Sequence, residues 1–150
     1  MHPADEHAVS VLNGLIERTL DSVNGYRTAA DHIGDPRFKA MFEEKANERL
    51  RVSRELQAEV RMFGVEAEDG QSLLGRAHNA FVGIKDAVTG GGSKAIIDEV
   101  ERGENALEEK YEAAAEDAEL PEEILALVSR LCQGVRLDHD QISAIKAQLH

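Results

Sequence analysis

Apolar residues recur at alternating spacings of three and four along most of the chain, the period of helices with one buried face. The first run is Val9, Leu12, Ile16, Thr19, Val23, Tyr26, Ala30 and Ile33, which predicts a helix over 4–33. In "HIGDPRF", Gly34 suits a left-handed cap, Asp35 an N-cap and Pro36 a first helical turn. So short a link predicts an antiparallel hairpin with a second helix over 36–63. Its seam reads Phe42, Ala46, Arg49, Ser53, Leu56, Val60, Phe63, with a polar middle. Gly64 is a natural stop.

The next thirty residues differ. "EAEDGQS" and "TGGGS" flank Leu74, Ala77, Phe81, Ile84 and Val88. This predicts a short helix over 72–88, with Ser72 and Ser93 as N-caps of this helix and the next. A third long helix is expected over 93–117. After "AELPEE", a fourth is expected over 121–149, opened by Pro121 and carrying Ile124, Leu127, Val128, Leu131, Val135, Ile142, Ile145 and Leu149. Long helices of about 40 Å joined by short, long and short links predict an all-α four-helix bundle. A single long crossover between the second and third helices, carrying the short extra helix, is the topology of ferritin-like folds.

The third helix breaks its own pattern. Its seam runs Ile97, Val100, Glu104, Leu107, Tyr111, Ala114, so a carboxylate stands where a leucine is expected, beside Gly103. An unpaired charge in a bundle core costs several kcal/mol, roughly, or is neutralised. With helix midpoints aligned, Thr19 and Ser22 on the first helix and Arg49 on the second fall at the height of Glu104. On the fourth, a seam through Val128, Cys132, Val135, His139 and Ile142 brings His139 within about a turn of it. Thr19, Ser22, Arg49, Glu104 and His139 form the expected buried polar layer, with Asp138 next to His139 and Glu17 flanking the first helix's seam.

Two chemistries compete for the layer. One is an ion pair and hydrogen-bond network centred on Arg49 and Glu104, with His139 as a further partner. The other is a carboxylate-bridged di-iron or manganese site. Such sites take a Glu from each of two helices and a Glu-x-x-His pair from each of the others. Glu17, Glu104 and His139 are the residues available for it. The second helix has no His; its spacings read Glu44-x-x-Asn47 and Glu48-x-x-Arg51, and Arg136 stands three before His139.

Composition narrows the function classes. The net charge is −12 and the pI about 4.9, which argues against nucleic acid and against anionic lipid surfaces. No apolar run approaches the roughly 20 residues that span a bilayer. "MHPADEHAV" lacks the pattern of a secretory signal. Cys132 is the one cysteine, so no internal disulfide forms, and a cytoplasmic setting is expected. Tyr26 and Tyr111 sit on core seams, Cys132 reads as a small buried hydrophobe, and Glu101 reads as solvated surface. His2, His7 and His32 show no useful ligand spacing. "TGGGSK" lacks the spacing of a phosphate-binding loop. Phe81 and Val82 are candidates for a partner surface.

"VLNGLIERTLDSVNGYRTAADHIGDPRFKAMF", "ANERLRVSREL", "AIIDEVERGENALEEKYEAA" and "LPEEILALVSRLCQGVRLDHDQI" together resemble an uncharacterised bacterial ferritin-like four-helix-bundle family, a domain of unknown function. The similarity runs over about residues 9 to 146. The resemblance implies the ferritin-like bundle and no particular reaction. The ligand pattern of ferritin-like proteins carries over only to Glu17, Glu104 and His139. The expected function is a non-enzymatic bundle that acts as an oligomeric or interaction module, a homodimer in the first instance, in stress or storage physiology. It needs no cofactor. The alternative is a ferroxidase-like or oxidase enzyme with iron or manganese on Glu104 and His139.

Overall fold

The computed structural model describes residues 2–69 and 92–149. Four helices make up nearly all of it: α1 (Pro3–His32), α2 (Pro36–Arg61), α3 (Gly92–Ala115) and α4 (Glu122–Gln148). There is no strand among the described residues, and none of their helices is long and apolar enough to cross a membrane. The expected short helix over 72–88, with Ser72, Phe81 and Val82, lies outside the described residues.

The α1–α2 reversal follows from Pro36. The residue before a proline is pushed out of the helical region. Asp35 is accordingly extended, at φ −82° and ψ 118°, and its side chain accepts a hydrogen bond from the Arg37 N–H as the N-cap of α2. Ile33, at φ −79° and ψ 135°, is extended as well. Two extended residues make the turn without a left-handed one, so Gly34 does not take the positive φ its sequence context suggests. Gly64 does, at φ 81°, three residues beyond the end of α2. Gly92 enters α3 at φ 67°, which places Ser93 inside the first turn and not at the N-cap. Pro121 is the N-cap of α4, one residue before the helix proper.

The buried side chains fall into two apolar clusters, one at each end of the bundle. The first joins Leu12 and Ile16 of α1, Leu56 and Val60 of α2, Leu107 and Tyr111 of α3, and Val128 and Cys132 of α4. The second joins Tyr26 and Ala30 of α1, Phe42 and Ala46 of α2, Ile97 and Val100 of α3, and Ile142 of α4. The N-terminal half of α1 therefore shares an end with the C-terminal halves of α2 and α3 and the N-terminal half of α4. It follows that α2 and α3 run parallel, and α1 and α4 run against them. α1 packs along α2 and against α3, and α3 packs along α4. Each cluster draws on all four helices, so neither helical hairpin has a complete core alone.

Candidate functional site

Between the two clusters lies a layer of buried polar side chains: Thr19, Asp21, Ser22, Lys45, Arg49, Ser53 and Glu104. Helical spacing creates it. Lys45, Arg49 and Ser53 follow one another at four-residue steps on the core side of α2, and Glu104 takes its turn on the seam of α3 between Val100 and Leu107.

Glu104 is completely buried. Arg49 Nη1 donates to its Oε1 at 2.8 Å and Nη2 to its Oε2 at 2.6 Å, a bidentate pair. Arg49 Nη2 also donates to Asp138 Oδ2 at 3.1 Å, and Lys45 Nζ donates to Asp138 Oδ1 at 2.6 Å. Two cations and two carboxylates thus alternate across α2, α3 and α4, and their formal charges cancel. The Arg49 guanidinium carbon lies 5.6 Å from the centre of the Tyr26 ring, a cation–π distance. Burial is the largest single influence and works against the charge on Arg49, but Glu104, Tyr26 and Asp138 together outweigh it and hold the arginine well above its ordinary range. Burial first, then the nearby Glu104 charge, pushes the Tyr26 hydroxyl well above its usual 10. Tyr111 rises to about 12, chiefly by burial. Its hydroxyl is hydrogen-bonded to Thr19 Oγ1 at 2.6 Å. The layer thus pairs its buried charges with one another, and burial favours the protonated form of both phenols.

The structure brings together only part of the expected constellation. Arg49 and Glu104 meet. Thr19 is one step away, on Tyr111, and the Ser22 hydroxyl donates to the Thr19 carbonyl of its own helix at 2.7 Å. His139 is not in the network: it points to the side of the bundle, where its Nδ1 is hydrogen-bonded to Glu108. Asp138, its neighbour, takes the inward place, because a step of one residue turns the side chain about 100° around the helix. Glu17 is half-buried beside a groove between α1 and α3 lined by Ser10, Gly14, Arg18 and Lys110.

Glu17, Glu104 and His139 therefore do not converge as metal ligands. Among the described residues, the donors that do gather are His7, Asp117 and Glu119, at one end of the bundle. A di-metal centre does not fit the layer: the guanidinium of Arg49 occupies both oxygens of Glu104, and a positive charge stands where a cation would have to bind.

Lys45 was not legible as part of the site, although its spacing of four from Arg49 was the available signal. Glu101 is not simply solvated. It accepts from Ser143 Oγ at 2.6 Å and Lys146 Nζ at 2.8 Å, and these bonds, Lys146 foremost, lower its pKa from 4.5. Cys132 is buried, and burial raises its thiol pKa, the setting of an inert cysteine.

The described residues form a four-helix bundle with a buried ionic layer at mid-height. The sequence model of a domain of unknown function, DUF2383, matches residues 7–117, and the chain belongs to that family. The matched span holds most of α1, all of α2 and α3, and the Arg49–Glu104 pair; α4, with Asp138 and His139, lies beyond it. No curated protein matches the chain.

Proposed function

We propose that the chain is a ferritin-like bundle that works as an assembly and interaction module, as a homodimer, and not through iron or manganese chemistry. The ferritin-like assignment is supported by the parallel α2 and α3, joined by the one long link. The observation that carries the functional reading is the bidentate Arg49–Glu104 pair. It uses up Glu104, a completely buried carboxylate at the height where a metal enzyme of this architecture needs open ligands. Such a layer holds four similar helices in register, the best-attested use of buried polar groups. A cytoplasmic setting agrees with the single, buried Cys132.

The dimer has a face to use. A groove between α2 and α4 is lined by Val52, Leu131 and Val135, with the exposed Leu137 at its edge. Glu48 and Glu55 stand there with Arg51 and Arg130. A locally balanced rim, in which Glu55 is already paired with Arg130 of its own chain, on a chain of net charge −12 suits a self-complementary, two-fold interface.

The test is metal content, by mass spectrometry, of protein purified without chelator and then offered ferrous iron or manganese. The expected result is no metal that depends on Glu104. Near-stoichiometric iron that disappears in Glu104→Gln would overturn the reading and make oxygen consumption the next assay. Light scattering tests the assembly: a dimer that becomes a monomer in Leu137→Lys is expected, and a monomeric native chain would remove the homodimer.

A further inference from the structure

His7 stands in the second turn of α1, more than a hundred residues from the α3–α4 link, yet the fold brings them into contact. His7 Nε2 lies 2.7 Å from Asp117 Oδ2 and 3.6 Å from Glu119 Oε2. The three donor atoms all lie within 4.8 Å of one another. Nothing in the buried layer uses them, and they come from two separate parts of the chain.

The geometry points to a zinc site at this end of the bundle, with His7, Asp117 and Glu119 as its protein ligands. One imidazole nitrogen and two carboxylate oxygens form a mixed donor set that suits a borderline metal such as Zn²⁺; calcium and magnesium prefer oxygen alone. With bonds of about 2.0–2.1 Å, a tetrahedral zinc holds its ligand atoms about 3.3–3.4 Å apart. The two observed separations from His7 lie on either side of that value. Binding opens the His7–Asp117 contact by roughly half an ångström, as the metal takes the lone pair of Nε2 and the neutral imidazole carries its one proton on Nδ1.

The surroundings favour the same use. Asp117 is held in place from behind, because its Oδ1 accepts the Glu119 N–H at 2.9 Å. That leaves Oδ2 aimed at His7 and keeps Glu119 on the same side of the turn. Outer bonds of this kind orient metal ligands. A hollow walled by Pro3, Ala4, His7 and Glu119 opens to solvent beside the donors, so an ion has an entry path and a water can complete the coordination. A metal held there ties the N-terminal turns of α1 to the link between α3 and α4, and stabilises the folded chain by mass action.

Titration calorimetry with zinc alone, together with thermal unfolding, decides the matter. Expected are one zinc per chain and a rise in melting temperature with zinc. Both are lost in His7→Ala and in Asp117→Asn, and binding weakens by about ten- to a hundredfold in Glu119→Gln. His139→Ala, with its imidazole elsewhere on the bundle, keeps the native affinity. Absence of zinc binding to the native chain would overturn the proposal. So would zinc held equally well by folded His7→Ala and Asp117→Asn, which would put the metal on other groups. Because the ligands differ, the outcome is independent of the iron test on Glu104.

Discussion

Two arginine–glutamate pairs bridge helices in this bundle at nearly the same distance. Arg49 Nη2 lies 2.6 Å from Glu104 Oε2, and Arg130 Nη2 lies 2.5 Å from Glu55 Oε1. Their surroundings differ completely: the first pair's side chains are 3% and 0% exposed, the second's 61% and 40%. In water, an ion pair gains little over its hydrated partners and is screened by salt. In the core, neither charge has water to return to, so each depends on the other. Distance alone therefore says little about what a salt bridge does. Burial decides the cost of losing one half of it.

Arg49→Ala gives the sharpest contrast. It leaves Glu104 buried without its main partner and frees one oxygen of Asp138, and the loss of stability is expected to be about 3–5 kcal/mol. Urea unfolding of the two proteins checks this. A loss under about half a kcal/mol, the size of an exposed pair, would mean that the layer opens to water in solution. The next test separates the pair's net worth from the penalty of breaking it. Arg49→Met combined with Glu104→Leu should recover most of the single-mutant loss, because apolar replacements of similar volume are often neutral or stabilising. If the double variant is as unstable as Arg49→Ala alone, the pair itself supplies the stability.

The two tyrosines probe the same layer by pH. They are the only ones in the chain, so phenolate absorbance reports on them alone. Tyr111 is raised from 10 to about 12 in the fold, and Tyr26 is raised as well. The folded state then holds protons that the unfolded state releases above about pH 10. The stability these groups contribute is full below pH 10 and falls as pH rises toward their folded values. Phenolate signal should appear together with loss of helicity by circular dichroism. A phenolate titration near pH 10 with helicity intact would show a wet layer.

Effects at the exposed pairs should be small. Arg130→Ala is expected to cost about 0.2–1 kcal/mol, and less as salt is added. The same urea titration, repeated at two ionic strengths, measures it. Glu101, held by Lys146 and Ser143, should give a mild acid dependence. Its folded pKa is lowered from 4.5, so its contribution is present above that value and fades as pH falls through the lower one. Glu101→Gln should flatten this part of the acid-unfolding curve; an unchanged curve would assign the dependence to other carboxylates.

Much of the architecture is legible in the sequence. The spacing of Val9 to Ile33 and of Phe42 to Val60 carries the helical period. Pro36 and Gly64 mark their boundaries. The Arg49 and Glu104 interruptions of two apolar seams pointed to one another, because a buried charge requires a partner. The failures share a cause as well. The seam through Val128, Cys132, Val135 and Ile142 admits His139, but steps of three and four between Val135 and Ile142 admit Asp138 equally well. One residue's step puts Asp138 inside and His139 against Glu108. Glu101 looked solvated until α4 brought Lys146 and Ser143 beside it.

The sequence by itself determined that this chain forms long amphipathic helices, where most of them end, and that a charged layer interrupts the core. Those properties are set by local periodicity, turn chemistry and the cost of burying charge. Only the tertiary structure decided which charges meet. The Arg49–Glu104–Asp138–Lys45 network and the His7–Asp117–Glu119 group join residues far apart in the chain. Their partners depend on the rotation and relative height of each helix, which the packing of all four sets at once.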